Sequence, residues 1–287
     1  MPELPEVETV RRGLERVTLA QTIQGGDVLL PRTIAYPLSV AEFLTALENS
    51  AIASWQRRGK YLLAKLTHAA SPQPDVADAG WLGVHLRMTG QLLWLPQEQP
   101  LQKHTRVRLF FPESRELRFV DMRTFGQMWW VPPSIAPENI ITGLKRLGPE
   151  PFAADFSVEY LARKLKNRQR SIKAALLDQE LVAGVGNIYA DEALFRSGIR
   201  PGTLCGALGL EQITRLHAAI IQVLRTAIES GGTTFSSFLN VLGVNGNYSG
   251  KAWVYGRAGE PCRVCGTPIE RQKLVGRSSH FCPKCQE

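Results

Sequence analysis

Apolar residues open the chain at helical spacing. Val7, Val10, Leu14 and Val17 recur on one face, with Arg11, Arg12, Glu15 and Arg16 between them. The pattern predicts one amphipathic helix of about four turns, with Pro5 in its first turn and Glu3, Glu6 and Glu8 at its positive end. From about Thr22 to Val131 the period shortens to two. Tyr61 to Leu66, Gly83 to Met88, Arg106 to Phe110 and Leu117 to Val120 read as strands, and Ser71 to Gly80 as a hairpin loop or insertion. Several short strands and one packed helix predict a β-sandwich or barrel. Pro132, Pro133 and Pro137 mark the exit from it, and Leu147 to Pro151 reads as part of a connection. Helical spacing then returns. Val158, Leu161 and Leu165 share a face, Ser171 to Asp178 and Tyr189 to Arg196 read as short helices, and Leu210 to Ser230 as a long one buried through Ile213, Leu216, Ile220, Val223, Leu224 and Ala227. The expected fold class is α+β with two domains.

Composition narrows the partners. The chain has 287 residues, 44% of them apolar, which allows two domains with sizeable cores. Its formal charge of +8 favours a polyanion, nucleic acid before an anionic membrane. The longest uncharged run, Ser230 to Gly250, is rich in Gly, Ser, Thr and Asn and reads as a polar loop, so no membrane partner is expected. The acidic start does not read as a signal peptide, and a cytoplasmic or equivalent reducing compartment is expected.

Three stretches carry candidate chemistry. Cys262-Arg263-Val264-Cys265 and Cys282-Pro283-Lys284-Cys285 are two C-x-x-C knuckles sixteen residues apart. Such a pair supplies the four thiolates of a tetrahedral site, and one structural zinc ion is expected, because four thiolates leave no position for water. Disulfides are the alternative, which a reducing compartment disfavours. The fifth cysteine, Cys205, stands apart. Arg277, between the knuckles, is expected near the tip of a β-hairpin. Gly184-Val185-Gly186-Asn187 precedes a predicted helix, where backbone N–H groups and Asn187 can approach a phosphate; it lacks the lysine of a P-loop. At the amino end, removal of Met1 would leave Pro2 with a free secondary amine beside Glu3. A free α-amine has a reference pKa of about 8, against about 10.4 for lysine, so part of it is neutral and nucleophilic at physiological pH.

Taken in order, these stretches resemble one family, formamidopyrimidine-DNA glycosylase. Pro2 to Thr9 is similar to its start, and Arg57-Arg58-Gly59-Lys60-Tyr61-Leu62-Leu63 to its internal lysine segment. Leu117 to Gly126 resembles its arginine–phenylalanine loop, and Leu176 to Gln179 with Asn187 to Phe195 its helix–two-turn–helix. Gly231 to Thr234 and the finger ending in Cys285-Gln286 complete the likeness. Leu4 points away from the sister family, endonuclease VIII, which typically begins Pro-Glu-Gly-Pro.

The resemblance implies an N-terminal β-sandwich with flanking helices over residues 1–135 and a linker over 136–155. A helical helix–two-turn–helix domain with a lesion loop would follow over 156–255, and a four-cysteine zinc finger over 256–287, with DNA between the two domains. It implies a monomeric base-excision repair enzyme, both glycosylase and abasic-site lyase, acting on double-stranded DNA with oxidised purines or abasic sites. Pro2, Glu3 and Lys60 would be catalytic, with Glu6 in the lesion pocket. Met88, Arg123 and Phe125 would fill the gap left by the extruded nucleotide. His104, Arg123, Asn187 and Arg277 would contact DNA, with Lys60 also at a phosphate, and Cys262, Cys265, Cys282 and Cys285 would hold zinc. The chain departs from the family pattern at Arg87, where glycine is common, at Thr105-Arg106 after His104, at Ser279 near the finger tip and at Ser236-Ser237-Phe238 in the lesion loop. The last departure bears on lesion preference. Two rival readings remain: the same chemistry on oxidised pyrimidines, and a noncatalytic DNA-binding protein. A third, a zinc-ribbon protein-interaction module, leaves the amino-terminal motif unexplained.

Overall fold

The computed structural model describes residues 1–68, 78–233, 240–244 and 246–287. They form two compact units. One holds Met1–Lys145 with the described part of Ser236–Gly246, and the other holds Arg146–Phe235 and Asn247–Glu287.

The first unit opens with α1 (Leu4–Thr18). Its buried face is Leu4, Val7, Val10 and Leu14, the predicted stripe extended by one turn towards the amino end. On the opposite face Glu8 meets Arg11, Arg12 and, from the sheet, Arg57. Burial alone would raise the Glu8 carboxyl, but hydrogen bonds and charge from these arginines hold it below its ordinary value. The strands are β1 (Gly25–Val28), β2 (Ile34–Tyr36), then, after α2 (Val40–Leu47), β3 (Ser50–Arg58), β4 (Tyr61–His68), β5 (Asp78–His85), β6 (Gly90–Pro96), β7 (Thr105–Phe111), β8 (Arg115–Asp121) and β9 (Gln127–Val131). They make two sheets, β1-β7-β8-β6 and β2-β9-β5-β4-β3. One core lies between them. Ile52, Leu62, Leu66, Leu82 and Val84 come from one sheet, Leu92, Val107, Leu109, Leu117 and Phe119 from the other, and Val7, Val10 and Leu14 from α1. This is the expected β-sandwich with a packed helix.

Three details differ from the sequence reading. The strand expected over Gly83 to Met88 stops at His85, and Arg87, Met88 and Thr89 form a turn before β6. That frees Met88 from a core position. The hairpin expected over Ser71 to Gly80 falls largely outside the described residues, while Asp78 to Gly80 belong to β5. The polar run after Ser230 is not polar throughout its packing: Val241 is 1% exposed in the sandwich core, and its carbonyl accepts the Trp94 N–H at 2.9 Å. Ser236-Ser237-Phe238 lies outside the described residues.

Two short helices, α3 (Pro137–Ile140) and α4 (Thr142–Lys145), close the first unit. The second unit is helical. It contains α5 (Val158–Leu165), α6 (Ile172–Leu176), α7 (Asn187–Ser197) and α8 (Leu210–Glu229), then the hairpin β10 (Glu270–Leu274) and β11 (Arg277–Phe281). α7 is buried almost all round. It packs on α8 through one side and on β11 through another, which explains why its sequence lacks a polar stripe. No helix among the described residues is long and apolar enough to cross a membrane.

Candidate active site and metal centre

In the first unit the candidate catalytic residues lie at the start of α1 and in the turn between β3 and β4. Pro2 is buried, and Glu3 and Glu6 are each 1% exposed. Glu3 is the N-cap of α1, where Glu3 and Glu6 close a capping box; the Glu6 carboxylate accepts the Glu3 N–H at 2.8 Å. Glu6 therefore fixes the backbone immediately after Pro2. Lys60 sits in the turn between β3 and β4 and is 7% exposed. A lysine so buried has an environment built for it.

His85, at the end of β5, is the neighbour that the sequence reading assigned no role. It is 7% exposed, with Tyr61 edge-on to its ring at 4.4 Å, and its Nδ1 accepts the Arg87 N–H at 2.9 Å. Burial first, then the charges of Arg87 and Lys60, push its pKa down to about 3. The ring is thus neutral, as an acceptor at Nδ1 must be. It holds Arg87 at φ 53°, a conformation uncommon for a residue with a side chain. The next residue, Met88, lines a cavity of about 560 Å³ together with Met1, Arg32, Arg87, Thr124 and Phe125. Arg32, another residue missed in sequence, donates to the Thr124 hydroxyl at 2.7 Å.

Arg123 and Phe125 lie in the turn between β8 and β9, with the guanidinium 4.9 Å from the ring centre. Phe125 is 53% exposed. A phenylalanine with an arginine over its ring and half its surface in solvent offers a stacking surface. His104 lies just before β7; its carbonyl accepts the Asp121 N–H at 2.9 Å, and its Nδ1 is 3.2 Å from Arg106.

The second unit brings Asn187 and the finger hairpin together. Gly186 is the N-cap of α7, and the first turn contains no acidic residue. Gln179 shapes the approach: its amide donates to the Val185 carbonyl at 2.8 Å, and its oxygen accepts the Gly184 N–H at 3.0 Å. Asn187 Nδ2 donates to the Ser278 carbonyl at 3.1 Å, and Lys173 Nζ reaches the same oxygen at 2.8 Å and Asp191 at 2.7 Å. Asp191 in turn accepts the His280 N–H at 2.9 Å. This buried network ties α7 to the strand that begins at Arg277, beside the two-residue turn of the hairpin. Glu192, the next residue on α7, is fully buried and accepts the consecutive N–H groups of Trp253, Val254 and Tyr255 at 2.8–2.9 Å. Burial raises its pKa, and those three donors oppose the rise.

The four cysteine sulfurs lie within 4.8 Å of one another, with Cys262 and Cys285 3.9 Å apart and Cys265 and Cys282 3.5 Å apart. A disulfide needs about 2.05 Å. A tetrahedral zinc site with bonds of about 2.3 Å needs about 3.8 Å between sulfurs, which the cluster matches. Backbone N–H groups point at Cys262 and Cys282 from within their knuckles, at 3.5 and 3.4 Å, and would hold those thiolates. Gln286 anchors the finger to the end of α7, accepting from the Cys282 N–H and donating to the Ile199 carbonyl, both at 2.8 Å.

Family models match three consecutive segments: the formamidopyrimidine-DNA glycosylase N-terminal domain over residues 1–128, its H2TH domain over 147–238, and a zinc finger found in FPG and IleRS over 259–287. The chain belongs to the formamidopyrimidine-DNA glycosylase family. It is 68% identical over 286 residues to a formamidopyrimidine-DNA glycosylase of Nostoc punctiforme, covering 100% of this chain and 96% of that one. Among solved structures it is similar to the MutM (FPG) protein of Thermus thermophilus, with 40% identity, a TM-score of 0.85 and coverage of 99% and 98%. It is also similar to a Lactococcus lactis FPG mutant in complex with DNA containing Fapy-dG, with 34% identity, a TM-score of 0.89 and 100% of both chains covered. The family read from the ordered motifs thus extends over the whole chain, and its four-cysteine finger is a metal-binding site by geometry as well as by likeness.

Proposed function

We propose that this glycosylase excises oxidised purines from double-stranded DNA and then cleaves the strand at the abasic site. The observation that carries this reading is the buried group at the start of α1. Two carboxylates, Glu3 and Glu6, bracket the backbone after Pro2, and Met1 lines the cavity shared with Met88 and Phe125. Removal of Met1 turns the Pro2 nitrogen from an amide into a secondary amine at that cavity. The amine attacks the sugar carbon that carries the damaged base. The base leaves with the bonding electron pair and takes up a proton. The ring C–O bond at the same carbon then breaks as the Pro2 nitrogen lone pair forms the C=N bond, the ring oxygen takes a proton relayed by Glu3, and an iminium to Pro2 remains. The iminium acidifies the adjacent sugar proton. Its removal expels the 3′ phosphate, and a second elimination expels the 5′ phosphate.

Lys60, held out of water, supports these proton transfers and contacts a phosphate. Glu6 acts through the Glu3 backbone at the edge of the lesion pocket. Met88 and Phe125 fill the vacated stack, and Arg123 hydrogen-bonds the orphaned base. His104, Asn187 and Arg277 set register on the phosphates. Zinc, held by Cys262, Cys265, Cys282 and Cys285, supplies a closed structural cross-link that fixes the Arg277 hairpin. The protein works as a monomer in the cytoplasm. Its working division is a catalytic domain over 1–135, a linker over 136–155, a helix–two-turn–helix domain over 156–255 and a finger over 256–287.

The test is borohydride trapping on duplexes carrying a formamidopyrimidine, 8-oxoguanine, an oxidised pyrimidine or a bare abasic site, after mass spectrometry shows that Met1 is gone. A covalent adduct through Pro2 on the oxidised-purine duplexes is expected. Adducts confined to the oxidised pyrimidine would move the substrate to the sister class. Adducts on none would leave only DNA binding.

A further inference from the structure

Two turns carry the side chains that enter the duplex in the reading above, Arg87–Thr89 and Met122–Gly126, and a single buried carboxylate joins them. Asp121, the last residue of β8, is 1% exposed. One of its oxygens accepts the Thr89 hydroxyl and, at 3.3 Å, the Arg123 N–H. The other accepts the Gly126 N–H at 2.8 Å. Thr89 closes the loop, because its hydroxyl oxygen also accepts the Arg123 N–H at 3.0 Å. Asp121 is itself clamped: its N–H donates to the His104 carbonyl, and its own carbonyl accepts Arg106 Nε, both at 2.9 Å. Gly126 permits the close approach, since a Cβ there would lie 2.4 Å from the Phe119 ring and 3.1 Å from the Asp121 carboxylate.

We propose that Asp121 is the positioning residue that makes these two turns one rigid wedge. This rests on Met88, Arg123 and Phe125 being the gap-filling residues. Met122 and Phe125 are 57% and 53% exposed, and Thr124 is held at φ 57°. Exposed apolar side chains on a loose turn must be ordered when they enter DNA, and ordering a side chain and its backbone at binding opposes association. With three donors on one buried carboxylate, that ordering is already complete in the free protein. Asp121 touches neither the reacting sugar nor the base in this assignment; it acts through Thr89, Arg123 and Gly126.

The test is stopped-flow fluorescence on a duplex with 2-aminopurine beside a lesion, read together with the thermal midpoint of each variant. Asp121→Asn keeps the shape but turns an N–H₂ towards N–H donors. It is expected to slow the fluorescence phase that reports insertion by about tenfold. Thr89→Val removes one donor and keeps the carboxylate, and is expected to slow the phase by a smaller factor in the same direction. Leu92→Ala, in the sandwich core, lowers stability without touching either turn. If Asp121→Asn or Thr89→Val inserts at the parent rate, or slows only as far as Leu92→Ala does at equal loss of stability, the proposal is wrong. Should Asp121→Asn fail to fold, Thr89→Val decides. Met88→Ala and Phe125→Ala separate the two levels: parent-like insertion in those variants means the wedge reading has failed, whereas slow insertion there with parent-like Asp121→Asn means only the role of Asp121 has failed.

Discussion

The start of α1 carries Glu3 and Glu6 as its own capping carboxylates, whereas the start of α7 carries Gly186 and Asn187 and no acidic residue in its first turn. Both ends present partial positive charge. At α1 that charge is answered by the chain's own carboxylates, which leaves an acid–base group beside Pro2. At α7 no carboxylate of the first turn answers it, so a phosphate can approach. The two ends also differ in support. The α1 start is braced within its own turn. The α7 start is braced by the finger, because Asn187 and Lys173 both hold the Ser278 carbonyl. In the proposed function the first helix start handles protons and is braced by a contact within its own turn, while the second meets an anion and is tied to the finger hairpin.

Stripping the metal should break this contrast most severely. Structural zinc in finger peptides is worth about 10–16 kcal/mol. Chelation, or Cys262→Ser, is expected to abolish tight DNA binding in a salt-titrated affinity assay while the tryptophan fluorescence of the sandwich stays native. Elemental analysis should give one zinc per chain. Glu3→Gln is next. It should lower single-turnover base release by about 10²–10⁴-fold, the usual range for a positioned acid or base, and leave duplex affinity near the parent value. Asn187→Ala should do the opposite, weakening affinity by about tenfold for all sequences with the salt slope unchanged, because a neutral amide releases no counterion, and with base release unchanged at saturating protein. Equal effects of Glu3→Gln and Asn187→Ala on both measurements would dissolve the distinction.

The smallest expected effect concerns His85, whose folded pKa is depressed to about 3 from an ordinary 6.5. The unfolded chain binds the proton first as pH falls, so the stability this group contributes is complete above about 6.5 and is lost on the way down towards 3. Between pH 6.5 and 5.5 the loss should be about 1 kcal/mol, seen in denaturant midpoints, and His85→Asn should remove that part of the slope. A parent curve flat over this range would mean that the ring is not held neutral.

Several parts of this molecule were written locally in the chain. The apolar stripe of α1, the strands with alternating burial such as Thr105–Phe111, and the long helix Leu210–Glu229 follow from periodicity, because period and burial are set within a few residues. The metal site follows from two three-residue spacings, because a knuckle takes both of its thiolates from one tight turn. The order of the motifs was enough to name the family. Only packing decided the rest. Nothing in the sequence around Lys60 records its burial, and Met88 reads as strand core until β5 stops at His85. Val241 sits in a polar run yet fills the sandwich core. Asp121 to Thr89, Asn187 to Ser278 and Glu192 to Trp253 are hydrogen bonds across 32, 91 and 61 residues. A buried polar group must find partners wherever the fold supplies them, and at such separations no local pattern records which partner that will be.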